Sequence, residues 1–270
     1  MTAPHSTQIG PLTLTTWSDG ALDIPAAYFP NAYIKAESVR FGANLWQATT
    51  GDRVVLIDAG SGMFLKERFA ETGQVHDGLG AGGIDPQAVT DIIITHMHAD
   101  HIGGLVKDGV SAYPQAGIHI SADEWGFWTD PDLASKMPED MAPMIALLQM
   151  IAGILADQVI PHDGEADLGD GLRLLPAPGH TPGHCVVEIT GGDETVLILG
   201  DAVVSGDLQF PNPDVTYQLD ANPAQAVATR KALLARIADE GLRFAVTHLP
   251  HPGLGRLTRD GDGFVFTPAL

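Results

Sequence analysis

The sequence predicts a mixed α/β fold in which sheets are covered by helices. Three observations carry that expectation. Short β-branched or alternating runs recur along the chain, and several end at glycine turns. Segments with helical spacing fall between them. The 270 residues are 44% hydrophobic, with four Trp, four Tyr and nine Phe, which is enough to bury a large core. No repeat or low-complexity linker divides the chain, so residues 1–270 are read as one domain.

In chain order, Leu12 to Trp17 and Leu45 to Thr49 alternate as half-exposed strands do. Gly51-Asp52 reads as a hairpin turn into Arg53 to Ile57, a β-branched run that stops at Asp58-Ala-Gly-Ser-Gly62. Between the first two strands, Ala21 to Ala36 is read as a loop whose Tyr28, Phe29 and Tyr33 could reach over a pocket or a partner subunit. Phe64 to Glu71 reads as a short helix, Gly78 to Gly83 as a glycine-rich loop, and Asp85-Pro86 as the start of a helical turn. Asp91 to Thr95 is a buried strand, Gly117 to Ser121 another, and Asp123 to Thr129 a helix carrying Trp125 and Trp128. Met141 to Ala156 has helical spacing with few charges and suits either the core or a cover over a cleft. Leu172 to Pro176, Val186 to Thr190 and Thr195 to Leu199 are strands, the last two joined at Gly191-Gly192. Asn222 caps an amphipathic helix to Glu240, with Pro223 at its first position, and Phe244 to Thr247 is a final strand.

Composition narrows the function classes. Fourteen basic and 34 acidic residues give a formal charge of −20, a surface that repels phosphate backbones and disfavours nucleic acid as a partner. No run is read as approaching the roughly 18 uncharged apolar residues of a membrane span. The start of the chain has neither a basic segment nor an apolar one, so no export signal is expected. The single cysteine, Cys185, lies in an apolar run and reads as a small buried hydrophobe. Without disulfides or an export signal, the expected compartment is the cytoplasm.

The chemistry concentrates in Thr95-His-Met-His-Ala-Asp-His101, directly after a strand. In extended backbone His96 and His98 point to one side, and the following turn can swing Asp100 and His101 to a neighbouring point. Gly103-Gly104 then lets the chain leave tightly. One histidine would be unremarkable in a core; three with an aspartate at these offsets point to metal ligation. Further donors stand after strand ends: His180 in Pro178-Gly-His-Thr-Pro-Gly-His184, Asp201 in Leu199-Gly-Asp201, and His248 in Thr247-His-Leu-Pro-His-Pro-Gly253. Imidazole and carboxylate suit zinc, and also iron, manganese or cobalt.

The set His96-x-His98-x-Asp100-His101, then His180, Asp201 and His248, resembles the ligand set of the metallo-β-lactamase fold superfamily. The resemblance runs from the Leu45 hairpin to the C-terminus. It implies a four-layer αβ/βα sandwich with two divalent ions at one edge. His96, His98 and His180 would hold one ion, Asp100, His101 and His248 the other, and Asp201 would bridge them. Asp58 matches the family's supporting aspartate, which orients ligands from behind. His184 is expected to support His180 by hydrogen bonding or packing. His251 stands near the pocket by sequence, while His5, His76, His119 and His162 read as structural or solvated.

Finer features resemble the branch that contains methyl parathion hydrolase, lactonases and arylesterases. They are Gly200 to Val204, Leu208 to Val215, Asp220, the helix with Arg230, Thr247 to Gly255, and Glu124-Trp-Gly-Phe-Trp128. That resemblance implies a small-molecule hydrolase acting on lactones or activated aryl esters, with phosphotriesters as side substrates and a hydroxide between the ions as nucleophile. Asp100 would orient it or carry the proton, and the branch favours a homodimer. Trp125, Phe127, Trp128, Phe210 and His251 are the expected pocket lining. The alternatives are a glyoxalase II-type thioesterase, which usually carries a basic C-terminal helical region, and a non-catalytic metal-binding module. A β-lactamase lacks the bridging aspartate, and a nucleic-acid-processing relative would want a basic groove.

Overall fold

The computed structural model describes residues 2–76 and 85–269, so the glycine-rich stretch Gly78 to Gly83 lies outside the described residues. The strands are β1 His5–Ile9, β2 Leu12–Pro25, β3 Ser38–Thr50, β4 Arg53–Ile57, β5 Asp91–Ile93, β6 Val106–Lys107, β7 Val110–Ser111 and β8 Gly117–Ser121. They continue as β9 Val159–His162, β10 Ala166–Asp167, β11 Leu172–Pro176, β12 Cys185–Gly191, β13 Glu194–Ile198, β14 Arg243–Ala245, β15 Leu254–Asp260 and β16 Gly263–Pro268. Two 7-stranded sheets result, in the orders β1-β2-β3-β4-β5-β8-β9 and β10-β11-β12-β13-β14-β15-β16, and β6 pairs with β7 apart from them.

The first sheet is an antiparallel meander as far as β4 and parallel from β4 through β9. The second is antiparallel except where β13 and β14 run parallel. The helices are α1 Ala99–Ile102, α2 Ala122–Trp128, α3 Leu133–Lys136, α4 Ala142–Leu155, α5 Gly206–Gln209 and α6 Pro223–Glu240.

Alternation along the strands sorts side chains into layers. Leu14, Trp46, Val55, Ile57 and Ile93 of the first sheet meet Leu174, Val187, Ile189, Val196 and Ile198 of the second in one cluster. The opposite face of the first sheet carries Leu56, Ile92, Ile118 and Ile120 against Ile145, Leu148, Ile151 and Leu155 of α4. The opposite face of the second carries Leu197, Phe244 and Val246 against Leu234 and Ile237 of α6. This is the αβ/βα sandwich that the resemblance implied. Each fully buried Leu or Ile contributes about 1.5–3 kcal/mol by leaving water.

Several elements match their expected places. Asp85 accepts the Gln87 amide at the start of the turn Pro86–Ala88, and Asn222 accepts the Gln225 amide at the head of α6. Others need correction. Phe64 to Glu71 is not an α-helix but a run of turns, with Phe64, Lys66 and Arg68 each donating to the carbonyl three residues back. Ala21 to Ala36 is not all loop: β2 continues to Pro25 and pairs with β3 as far as Ser38. Strands β1, β9, β10 and the β15–β16 hairpin have no counterpart in the sequence reading.

Glu139–Gln158 is the one described helical segment long and apolar enough to cross a membrane by length and composition alone, with a mean hydropathy of 1.4 over its 18-residue window. In the fold, the α4 part of this segment turns Ile145, Leu148, Ile151, Ala152 and Leu155 inward as core.

Candidate metal centre

The site lies where strands of both sheets run out. Beyond β5 the chain passes Ile94 and a bend at Thr95 to His96 and His98, then turns into α1, which carries Asp100 and His101. Gly103 and Gly104 leave no room for a side chain: a Cβ on either would stand 2.2 Å from the Ser61 carbonyl or 1.9 Å from that of Ala59. The ligand loop is thereby pressed against the loop that follows β4.

That second loop opens with Asp58 in the left-handed region, at φ 58°. For a non-glycine residue this conformation persists only where the surroundings fix it. Here they do: the carboxylate accepts the Thr95 amide at 2.9 Å, the Thr95 hydroxyl at 2.9 Å and His101 Nδ1–H at 2.8 Å. Asp58 therefore directs His101 Nε2 away from itself, as a supporting carboxylate does behind a metal-bound imidazole.

Seven donors converge in two groups, His96, His98, His180 and Asp201 in one and Asp100, His101 and His248 in the other, each spanning no more than 4.8 Å between its donor atoms. His98 Nδ1 stands 3.1 Å from His96 Nε2 and 3.0 Å from His180 Nε2. Asp201 lies between the groups: Oδ2 is 3.4 Å from His180 Nε2 and 3.2 Å from His248 Nε2, and Oδ1 is 3.3 Å from His101 Nε2. Asp100 Oδ2 is 3.5 Å from His248 Nε2.

Other side chains fix these orientations. His180 Nδ1–H donates to Asp220 at 2.9 Å, and His248 Nδ1–H donates to the Gly42 carbonyl at 2.8 Å. Asn44 of β3 donates to the carbonyls of Thr247 and Leu249, tying the His248 loop to the first sheet. Fully buried Arg230 of α6 donates to the carbonyls of Ala202, Pro213 and Val215 and stands 3.8 Å from Asp220. His184 Nε2 accepts the Asp201 amide and its Nδ1–H goes to Ala177, so both ring nitrogens are occupied. It packs on His180 as expected, but its hydrogen bond supports Asp201.

Burial and crowding by neighbouring imidazoles push His96 and His98 well below the ordinary histidine range. Burial acts the same way on His101 and His248, but the carboxylates of Asp201 and its neighbours outweigh it and push both up. Asp201 is held well below its ordinary value, because His248 and His101 overcome the cost of burial.

The donor set fits divalent metal ions on physical grounds. His101 Nε2 and Asp201 Oδ1 are buried without a hydrogen-bond partner, a state that costs a protein about 1–3 kcal/mol per group. Three ring nitrogens also crowd around one point where neutral imidazoles cannot all find hydrogen-bond donors. A cation there satisfies every one of these atoms with ligands of the right kind.

The expected pocket residues divide. Trp128 is buried and meets the His98 ring edge-on, with centroids 5.7 Å apart. Phe127 packs on Trp128, and Trp125 packs against the core between α4 and the first sheet. Phe210 is not brought to the donors: its ring packs against Phe244 and Phe266 on the α6 side of the second sheet. His251 is tied to Asn44 and to the Ala3 carbonyl. Phe210 and His251 instead line a separate cavity of about 610 Å³ whose lining includes none of the seven donors.

Sequence reasoning missed the aromatic wall that does touch the site. Phe41 stacks on His248 at 4.7 Å and Tyr217 on His180 at 6.2 Å. Phe29 and Tyr28 back Tyr217, so the 26–29 segment does reach the pocket side, while Tyr33 is 87% exposed. The period of β3 marks Phe41 as inward-facing, but only the sheet pairing shows that it meets His248.

Residues 40–237 match the model of the metallo-beta-lactamase superfamily. The chain belongs to that superfamily. A probable metallo-hydrolase of Mycobacterium tuberculosis is 28% identical over 181 residues, covering 57% of this chain and 54% of that protein. The hydroxyacylglutathione hydrolase GloC of Haemophilus influenzae is 29% identical over 129 residues, covering 46% of this chain and 55% of its own. The chain thus spans about half the length of the curated relatives it matches. Among solved structures, AidC, described as a dizinc quorum-quenching lactonase, superposes with a TM-score of 0.92 at 28% identity, over 99% of this chain and 98% of its own.

Proposed function

We propose that the protein is a metal-dependent hydrolase of small lactones, with activated aryl esters as further substrates, and that it works with two divalent ions, zinc first among them. The supporting observation is the meeting of seven metal-type donors with an apolar wall of Phe41, Trp128 and Tyr217. The full-length likeness to a dizinc lactonase supports the substrate class. Two such ions, when bound, supply a hydroxide at neutral pH and polarise a carbonyl, zinc lowering the pKa of bound water to about 7.

The chain's own groups then have distinct tasks. Asp201 sets the separation of the two donor groups. Asp100 is the donor carboxylate most open to solvent, with an 18% exposed side chain, and suits it to pass a proton toward a leaving alkoxide. Burial and the nearby Asp201 and Asp100 carboxylates push the Tyr217 phenol up, which keeps it protonated and able to donate a hydrogen bond to developing negative charge. The aromatic wall excludes water from an acyl chain. The excess of acidic groups favours a small uncharged substrate over a nucleic acid.

A thioesterase is the second reading, favoured by the likeness to GloC. Purified zinc-loaded protein offered short- and long-chain acyl homoserine lactones, an aryl ester and a glutathione thioester separates the two. Proton release from the lactones, abolished by chelator, is the expected result. Turnover of the thioester alone would replace the lactonase reading with the second one.

A further inference from the structure

One buried carboxylate in the site region has no task in the chemistry above. Glu124, on the single helix α2, is fully buried. Its Oε1 accepts the Met97 amide at 2.8 Å and the Trp128 indole N–H at 2.8 Å. Its Oε2 accepts the Thr181 hydroxyl at 2.6 Å and the Gly183 amide at 3.1 Å. All four partners are neutral donors, so the group bears the cost of a buried charge through hydrogen bonds alone.

The identity of those partners is informative. Met97 lies between His96 and His98, and Thr181 follows His180. These three histidines supply the imidazoles of one donor group and reach the site on two loops far apart in sequence. Trp128, one helical turn on from Glu124, is held by the same oxygen as Met97 and braces the His98 ring. The second loop lies hard against the helix, since a Cβ on Gly183 would stand 2.1 Å from the Glu124 amide nitrogen.

We propose that Glu124 is a positioning residue that clamps the His96–His98 loop to the His180 loop and so sets the spacing of the His96, His98 and His180 imidazoles. Only a carboxylate serves, because it accepts at every position, whereas a glutamine would set its own N–H groups against those of Gly183. The His101 and His248 group takes no part in the clamp, being held by Asp58 and by the Gly42 carbonyl. The proposal rests on the two-metal reading of the site.

The test is a zinc titration of metal-free protein against a chromophoric chelator, repeated with cobalt to record its visible absorption. Glu124→Gln is expected to weaken one of the two ions about 10- to 100-fold and to leave the other within about threefold, with an altered cobalt spectrum. Thr181→Val, which removes one of the four donors, should weaken the same ion by less. Leu234→Ala, in the core under α6, should lower the melting temperature with both affinities unchanged. Unaltered binding of both ions by Glu124→Gln, or equal weakening of both, would overturn the proposal. If Glu124→Gln does not fold, Thr181→Val decides, and two unchanged affinities there overturn it equally. Wild-type protein that takes up no zinc would remove the two-metal reading and the clamp together, whereas intact wild-type binding with unaffected variants removes the clamp alone.

Discussion

The two donor groups use the same residue types in opposite electrostatic settings. Around His96 and His98 the neighbours are mostly other imidazoles, and burial holds both rings neutral. Around His101 and His248 stand Asp100 and Asp201, with Asp58 behind His101, and these carboxylates outweigh burial and push both rings up. A metal entering at His101 and His248 therefore competes with protons up to a higher pH than one entering at His96 and His98. The difference in surroundings makes the two halves of the centre separable by experiment.

The largest effect should come from Asp201, the residue common to both halves. Asp201→Ala is expected to lower lactone turnover by at least about 10²-fold and to leave no more than one tightly held ion per chain, as measured by steady-state kinetics and elemental analysis. Full activity with both ions retained would show that the groups do not depend on it.

Removing the supports should split the halves. Asp58→Asn is expected to weaken metal binding at the His101 group, and Asp220→Asn at the His180 group, each about 10- to 100-fold. A competition titration of both variants checks the assignment, and identical binding profiles would contradict it.

The pH dependence follows from the same contrast. His101 and His248 have raised folded-state pKa values, so protons occupy them below those values and compete with metal. As pH falls, the ion at this group should be lost first, while the one at His96 and His98 is retained to lower pH. Zinc affinities measured from pH 8 downward should therefore diverge, and parallel loss of both ions would break the comparison.

The smallest effects concern the aromatic residues. Trp128→Leu should raise KM for long-chain lactones by about tenfold through lost contact area next to His98. Phe210→Leu should cost about 1–2 kcal/mol of stability by denaturant unfolding and leave kcat/KM unchanged, because its ring packs on Phe244 and Phe266. The reverse pattern would place the substrate in the second cavity.

The seven donors were legible because period-two backbone and strand ends dictate where side chains gather, and His96 to His101 is one continuous stretch. Glu124 and Asp220 stood out only as marks of the branch resemblance, with no task assigned, and Asp19 not at all, although each holds a loop in place. Asp19 accepts the amides of Ser61, Gly73 and Val75, from turns that are remote in sequence. Among 34 acidic residues, local pattern gives no sign of which carboxylates will be buried. The Phe64–Glu71 segment failed for a related reason. Its apolar spacing is helical, but the turn after it is fixed from outside by Asp19 on Gly73 and Val75, and from within by Lys66 on the Thr72 carbonyl. Phe210 was misplaced because an aromatic residue near a ligand in sequence can still face the opposite side of its sheet, where α6 covers it.

The most direct test of the whole account is stepwise addition of zinc to metal-free protein while acyl homoserine lactone opening is followed by proton release. The account predicts two bound ions per chain, with most of the turnover appearing only as the second is taken up. Full turnover at one equivalent, or two ions bound with no lactone opened, would contradict it.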